Sequence, residues 1–542
     1  MMNQDLPPSF LFTFEAKGLQ NFIFSGGRLR YMIGGNALVG ELCDEELLEK
    51  RIKACGGSEG DFKILEGAAG GAKITFRRED VGHRFARLFP IFCARFAPGL
   101  TVVQDFRKIE SSISATYAAA REALLFERKF PPKPRFVANP ALERCARTGQ
   151  PAVASDQKDG LIDASLKRRK DRRDQFQKDQ KKIPPIFEQF GFEKEKQIPN
   201  SFEDLRSPFH GYFALIHADA NSLGQLFMSL GKASEGKAVD DDEAQEFFSQ
   251  VAEIKDAAMK AAVAAGMKSV EGLYESSESK PHPILPLVLA GDDLTVVCRT
   301  DLAIPFTVAF LNEFKCHTSK EFSKLKGPEN LKGPEPMKNV LPDGLSAGAG
   351  IVYSPLKFPF NQAYDLLEHI ASQAKGKAKK QKVNDKTPCP SGLTFYTIDD
   401  SLNPQSIEEI RDRDWKGDGV TFEAGPYFVD GDQKPQLSQF QKIVAGADDL
   451  PGGKVRELVT QLRQERTALK GSIDQLQKVH DESLTAFNSA LKGAGFEDFT
   501  KIKDLKTSPL LDVLHHQKFS KSPDLPKKQE VEEQPEITPA QA

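Results

Sequence analysis

The stretch ILPLVLAGDDLTVVC, residues 284–298, decides the fold of the region around it. Two apolar runs, 284–289 and 294–298, flank a short AGDD segment that ends in Asp292 and Asp293. Glycine and aspartate tolerate the positive φ angles of tight turns. The stretch therefore predicts a β-hairpin that carries two adjacent carboxylates at its tip.

The segments on either side of this hairpin complete one α+β unit. An apolar strand is predicted at 212–216, and Asp219 follows it. Beyond the hairpin lies LSAGAGIVY, residues 345–353, a strand of small residues. A helix then opens at Pro359, with apolar residues every three or four positions. The order strand, helix, hairpin, strand, helix predicts helices packed on a mostly antiparallel sheet.

An internal repeat indicates that this unit occurs twice. The segment EAKGLQNFI, residues 15–23, aligns with DANSLGQLF, residues 219–227. The segment GGAKITF, residues 70–76, aligns with AGDDLTV, residues 290–296. In this alignment the second copy holds three carboxylates, whereas the first has Glu15 in place of Asp219, and Ala72 and Lys73 in place of the Asp pair.

Three carboxylates at a strand end and a hairpin tip predict a site for Mg²⁺ or Mn²⁺. Like charges packed together repel unless a cation neutralises them, and these ions prefer oxygen ligands. Two such ions activate an attacking hydroxyl and stabilise a leaving pyrophosphate. We therefore predict catalytic and metal-binding roles for Asp219, Asp292 and Asp293.

Phosphate-binding groups are predicted around the carboxylates. After Asp219 the chain enters a helix through Asn221, Ser222 and Gly224, and free backbone N–H groups at a helix start bind phosphate. Gly291 of the hairpin and Lys375, in the lysine-rich end of the Pro359 helix, complete the predicted nucleotide site.

Each of these features has an ordinary structural explanation when it stands alone. An Asp pair after glycine is common in turns, a strand-end Asp often caps a helix, and lysines near a helix C-terminus complement its dipole. Only the combination, in this order within one α+β unit, indicates chemistry.

That order resembles the palm domain of GGDEF-type nucleotide cyclases and, more closely, the large polymerase-like subunit of type III CRISPR effector complexes. The motifs that carry the resemblance are LIHAD at 215–219, AGDD at 290–293, SAGAGI at 346–351 and QAK at 373–375. The family also pairs a degenerate first palm with an active second palm, as the repeat predicts here.

The resemblance implies an ATP-using, metal-dependent nucleotidyltransferase that makes cyclic oligoadenylate second messengers in antiviral defence when target RNA binds. It implies metal ligation by the three aspartates with the Ala220 carbonyl as a further ligand, and triphosphate contact by Lys375. RNA and other CRISPR effector subunits are the implied partners.

Departures from the family pattern leave a second function open. Ala290 replaces the first glycine of GGDD, and Asn221 stands where many relatives have Asp. We expect no nuclease domain before the first palm and no zinc-binding cysteine set between the palms. The alternative is a catalytically silent palm scaffold that nucleates an RNA-binding complex, and a third reading is a dinucleotide cyclase of the GGDEF sort.

The composition of the chain excludes several classes of protein. The chain has 542 residues, a net charge of −3 and 39% hydrophobic residues, which excludes a globally basic nucleic-acid coat and wholesale disorder. No apolar run reaches the length of a bilayer and no signal peptide is recognisable, so we expect a cytoplasmic protein. The seven cysteines form no CxxC pair and predict reduced, mostly buried thiols without zinc.

Five regions are predicted. We expect the basic run KRRKDRR at 167–173 to be a solvated face rather than an RNA contact. The regions are a degenerate first palm at 1–130, a linker or helical insertion at 131–205, the second palm at 206–400, a C-terminal helical domain at 401–517 and a disordered tail at 518–542.

Overall fold

The structure of the protein, a computed structural model, describes most of the chain between residues 9 and 520. The described ranges are 9–68, 70–110, 113–129, 141–178, 183, 185–188, 190–234, 239–274, 280–327, 333–381, 384, 386–399, 406–499 and 504–520.

The first domain is a four-stranded antiparallel sheet with helices on both faces. The strand order is β2-β3-β1-β4. Alternation along β1 sends Phe12 and Phe14 into the core, where the Phe14 ring centroid lies 4.5 Å from that of Phe89 on α4. The elements are β1 (Phe10–Lys17), α1 (Leu19–Phe24), α2 (Leu29–Leu42), α3 (Glu45–Ala54), β2 (Phe62–Ala68), β3 (Gly71–Phe76), α4 (Glu79–Phe96), β4 (Thr101–Lys108) and α5 (Ile113–Lys129).

The insertion between the two larger domains packs against the first. Its described elements are β5 (Ala152–Asp156), β6 (Gly160–Asp163), α6 (Ala164–Lys178) and α7 (Pro185–Glu188). The prediction of a solvated basic face on α6 is wrong for Arg169 and Arg173, which are 0% and 1% exposed. The Arg169 guanidinium donates to the carbonyl oxygens of Ile23 (3.2 Å) and Ser25 (2.9 Å), at the end of α1 where the helix leaves carbonyls without partners.

The second domain has a six-stranded sheet of order β12-β11-β10-β7-β9-β8. Strands β8 and β9 form the hairpin that the sequence predicts. All neighbouring strands are antiparallel except β10 and β11, which run parallel. Its elements up to β11 are β7 (Tyr212–Ala220), α8 (Leu223–Ser234), α9 (Asp241–Val270), β8 (Ile284–Ala290), β9 (Asp293–Cys298), α10 (Ala303–Lys326), α11 (Glu335–Val340), β10 (Ala347–Pro355), α12 (Phe360–Lys379) and β11 (Gly392–Thr397).

The two sheets have the same topology, which agrees with the predicted internal repeat. Strands β2-β3-β1-β4 correspond in order and direction to β8-β9-β7-β10, and a helix, α5 or α12, follows the last strand of each set. The hairpin alignment made from sequence, however, is wrong by two residues. Asp219 pairs with Asp293 on β9, whereas Glu15 pairs with Gly71 rather than Lys73 on β3.

The C-terminal region is mainly helical but adds a strand to the second sheet. Strand β12 pairs with β11, so this sheet continues past residue 400 into the region predicted as a separate domain. The predicted tail starts too early, since α18 runs to Phe519, which is fully buried; residues 521–542 lie outside the described ranges. The elements are α13 (Ile407–Arg413), β12 (Tyr427–Phe428), α14 (Leu437–Asp448), α15 (Gly452–Gln464), α16 (Leu469–Val479), α17 (Asp481–Ala494) and α18 (Leu510–Phe519).

Two further features of the structure concern its helices and its cysteines. Among the described residues, none of the helices is both long enough and apolar enough to cross a membrane. The cysteines are free thiols, and six of the seven are buried, with Cys316 exposed.

Candidate metal and nucleotide site

Three aspartates meet where β7 ends and the β8–β9 hairpin turns. Asp219 lies directly opposite Asp293 in the β7–β9 pairing, and Asp292 occupies the turn beside it. One carboxylate oxygen from each of the three lies within 4.8 Å of the others, and all three residues are half-buried. The predicted convergence of Asp219, Asp292 and Asp293 is therefore confirmed as geometry.

The hairpin turn depends on Gly291. Its φ angle is +66°, in the left-handed region that residues with a Cβ rarely adopt. Gly291 and Asp292 connect Ala290 to its pairing partner Asp293, which makes a two-residue turn. This tight turn holds Asp292 and Asp293 next to each other and next to Asp219.

The cluster is electrostatically strained in the absence of a cation. Burial raises the pKa of Asp293 to about 7, and the charges of Asp292 and Asp219 add to the effect. Burial also raises the pKa of Asp292, together with the charge of Asp219 and a hydrogen bond to it. Each ionised carboxylate thus disfavours ionisation of the next, and a divalent cation would relieve the repulsion.

Lys375 supplies a positive charge to this cluster from α12. Its ammonium is ion-paired with the Asp219 carboxylate, and the side chains are 22% and 26% exposed. The pairing depends on the small-residue strand β10. A Cβ on Gly348 would lie 2.9 Å from the backbone nitrogen of Lys375, and a Cβ on Gly350 would lie 2.8 Å from that of Ala371. Without side chains at these glycines, α12 approaches β10 closely enough to set Lys375 over Asp219.

The residues that follow β7 only partly match the predicted phosphate cradle. The Asn221 N–H donates to the Ser346 carbonyl (2.7 Å) and its Nδ2 donates to the Ser346 hydroxyl (3.0 Å), so Asn221 is bound to the start of β10. This backbone N–H is therefore not free for phosphate, contrary to the prediction. Ser222 has a φ angle of +60° and is half-buried, and Gly224 is exposed in the first turn of α8.

Ala220 ends β7 and is buried opposite Ala347 of β10. The metal-ligand role of its carbonyl stays a prediction.

The first domain has an equivalent pocket with a different set of charges. Arg128 and Lys375 are both the sixteenth residue of their helices, α5 and α12, and the Arg128 guanidinium lies 3.3 Å from the Glu15 carboxylate. Lys73 lies with its ammonium 3.9 Å from the ring centroid of Tyr117 on α5. Glycines, Gly70 and Gly71, stand at the hairpin positions that correspond to the Asp pair.

This first-domain pocket has a volume of about 340 Å³. The sequence-based prediction did not include Arg128. Extending the repeat alignment through α5 and α12 would have aligned Arg128 with Lys375.

Fold and site together define a two-palm protein in which the second palm carries three clustered carboxylates, whereas the described residues of the first palm form no such cluster. No family model matches the chain, and no curated protein matches it. Solved structures do match, and among them are structures of Csm1 and of the Csm1–Csm4 cassette.

The matched structures cover nearly the whole chain at low identity. A Csm1–Csm4 cassette in complex with cA4 is 11% identical, with a TM-score of 0.49, and the match covers 95% of this chain and 70% of that chain. The cassette in complex with one ATP is 12% identical, with a TM-score of 0.45 and the same coverage. Csm1 in T. onnurineus is 13% identical, with a TM-score of 0.43, covering 95% of this chain and 69% of that chain.

Proposed function

We propose that this protein is a Csm1-like nucleotidyltransferase that joins ATP into cyclic or linear oligonucleotides in a type III CRISPR-like antiviral system. The observation that carries the proposal is the cluster of Asp219, Asp292 and Asp293, with carboxylate oxygens within 4.8 Å of one another, beside the ammonium of Lys375. Nucleotide joining needs this combination, because negative charge develops on both the attacking hydroxyl and the leaving pyrophosphate.

The donor set fits Mg²⁺ or Mn²⁺. The three carboxylates are hard oxygen ligands, and burial with mutual repulsion keeps the pKa of Asp292 and Asp293 raised until a cation arrives. Asp219, Asp292 and Asp293 would hold the metal. When bound, a divalent pair supplies activation of the attacking hydroxyl and charge neutralisation at the transferred phosphate.

Other residues of the site contact the nucleotide and leave room for it. The Asp219 carboxylate, which is paired with Lys375, would be one of the groups that hold the metal. Lys375 would contact the polyphosphate of the nucleotide, where a flexible ammonium neutralises the leaving group. Gly291 keeps the hairpin tip narrow, so a nucleotide can approach the two carboxylates without a side chain in the way.

Partners and ligands follow from the same proposal. RNA and other effector subunits are the proposed partners, and ATP is the proposed substrate. The matched Csm1 structures are named as complexes with Csm4, cA4, cA3 and ATP, which makes these molecules the first to test against this chain.

The deciding experiment measures product formation from labelled ATP with Mn²⁺, with and without added RNA. We expect oligonucleotide products from the wild type and none from Asp292→Ala with Asp293→Ala. A matched control is Asp448→Ala with Asp449→Ala, an exposed Asp pair at the end of α14 that makes the same charge change.

Activity that survives in the Asp292/Asp293 variant would remove these residues from the reaction. A folded wild type that binds neither Mn²⁺ nor ATP would favour the silent scaffold instead.

A further inference from the structure

A second lysine, Lys255, lies beside the aspartate cluster and comes from a different helix than Lys375. It lies on α9, the long helix inserted between β7 and the hairpin. Its Nζ lies 4.0 Å from the point where a Cβ on Gly291 would be, which places the ammonium at the hairpin tip. Its charge lowers the pKa of Asp292, against the larger effect of burial.

The burial of Lys255 is not explained by its ion pair. Its side chain is only 12% exposed, and within the described part of the chain its ion pair is with Asp256 (2.9 Å), the next residue on the same helix. Asp256 is 50% exposed, and pairs with such exposed partners contribute about 0–1 kcal/mol. The pair with Asp256 therefore does not account for the position of the Lys255 ammonium at the hairpin tip.

Two ammonium groups therefore lie beside the cluster of three carboxylates. Lys375 approaches Asp219 from α12, and Lys255 approaches Gly291 and Asp292 from α9. A nucleoside triphosphate on this site would bring several negative charges to a place that already holds three carboxylates. Two cations beside the cluster would stabilise such a ligand.

We propose that Lys255 is a substrate-binding residue that contacts the polyphosphate of the nucleotide on the Asp292 side of the site. The inference rests on the proposed function and deepens it, since it assigns the recognition of phosphate to two helices rather than one. The narrow turn at Gly291 serves this contact, because a side chain there would stand between the ammonium and the ligand. The ligand class is a nucleoside di- or triphosphate.

The test compares Lys255→Met, Lys255→Arg and Lys260→Met in the full chain. Lys260 is an exposed lysine on the same helix, so its variant makes the same chemical change away from the site. Binding of a non-hydrolysable ATP analogue with Mn²⁺ is measured by calorimetry, and thermal unfolding is measured on the same samples. We expect Lys255→Met to weaken binding about tenfold, or about 1.4 kcal/mol, Lys255→Arg to restore it to within about threefold, and Lys260→Met to bind like the wild type.

Each other outcome overturns the inference, and the outcomes separate it from the function that it rests on. If the wild type binds the analogue and Lys255→Met binds equally well, Lys255 does not touch the ligand, and the proposed function stands without it. If both Lys255 variants lose binding and unfold at a clearly lower temperature, the lysine has a structural role. If the wild type itself shows no Mn²⁺-dependent binding, the proposed function fails and this inference fails with it.

Discussion

The stability of the metal-free protein should fall with rising pH because of Asp293, and Asp293→Asn should remove much of that fall. The pKa of Asp293 is raised from 3.8 to about 7 in the folded protein. The folded state therefore binds this proton more tightly than the unfolded chain does. Stability contributed by the protonated group is present at low pH and is lost as the pH rises from about 4 to about 7.

The magnitude follows from the shift. Each pKa unit corresponds to about 1.4 kcal/mol, so a shift of about three units sets an upper figure of about 4 kcal/mol. Partial exposure of the site to solvent reduces this to about 2–3 kcal/mol. Asp293→Asn should thus match the wild type near pH 4 and exceed its free energy of unfolding by about 2–3 kcal/mol at pH 8.

The assay is urea unfolding followed by circular dichroism in the presence of a chelator at pH 4, 6 and 8. Asp449→Asn, at an exposed position outside the cluster, serves as the control for the substitution itself. Saturating Mn²⁺ should stabilise the wild type at pH 8 more than Asp293→Asn, because binding only to the folded state adds to stability. A difference between wild type and Asp293→Asn that is the same at all three pH values would refute the electrostatic account of the cluster.

Three further predictions test the supports of the site. Lys375→Met should lower the rate of nucleotide joining at least tenfold while shifting the melting temperature little, because its ion pair with Asp219 is partly exposed; steady-state kinetics and thermal unfolding measure the two effects. Gly348→Val should destabilise the protein by about 1–3 kcal/mol by pushing α12 away from β10, measured by urea unfolding; Gly376→Val, at an exposed glycine of α12 where a Cβ meets no neighbouring atom within 4 Å, is the control for the same substitution without a clash. Arg169→Met should cost about 3 kcal/mol or more, because the carbonyl oxygens at the end of α1 lose their buried donor; a loss under about 1 kcal/mol in urea unfolding would contradict that role.

The sequence could predict the second palm because its signals are local. Apolar runs around AGDD specify a hairpin whatever surrounds them, and the spacing of apolar residues after Pro359 specifies an amphipathic helix. Asp219 follows an apolar strand that has to pair with this hairpin if its apolar residues are to be buried. The sequence alone could therefore predict that the three carboxylates lie close together.

The sequence alone could not predict the register of the strands in the first palm or the burial of charged residues. A shift of two residues in a strand keeps every side chain on its own face, so the pattern of apolar residues in the first palm fits both Lys73 and Gly71 opposite Glu15. In the structure, Glu15 on β1 pairs with Gly71 on β3. The burial of charged residues was equally hard to predict. The charged run at 167–173 predicts a solvent-exposed face, because clustered charges normally stay hydrated. In the structure, however, Arg169 is buried and donates to a carbonyl oxygen at the end of α1.

The amino-acid sequence by itself determined the palm-like unit, its duplication and the three aspartates of one copy, because each aspartate lies in a short motif whose apolar pattern predicts a strand end or a hairpin turn. Tertiary structure alone decided which cations meet those aspartates. Lys375 on α12 meets Asp219, and Lys255 on α9 lies at the hairpin tip, whereas Arg128 on α5 meets Glu15 in the first palm. Their positions depend on how closely those helices pack, and at α12 that distance is set by the absence of side chains at Gly348 and Gly350.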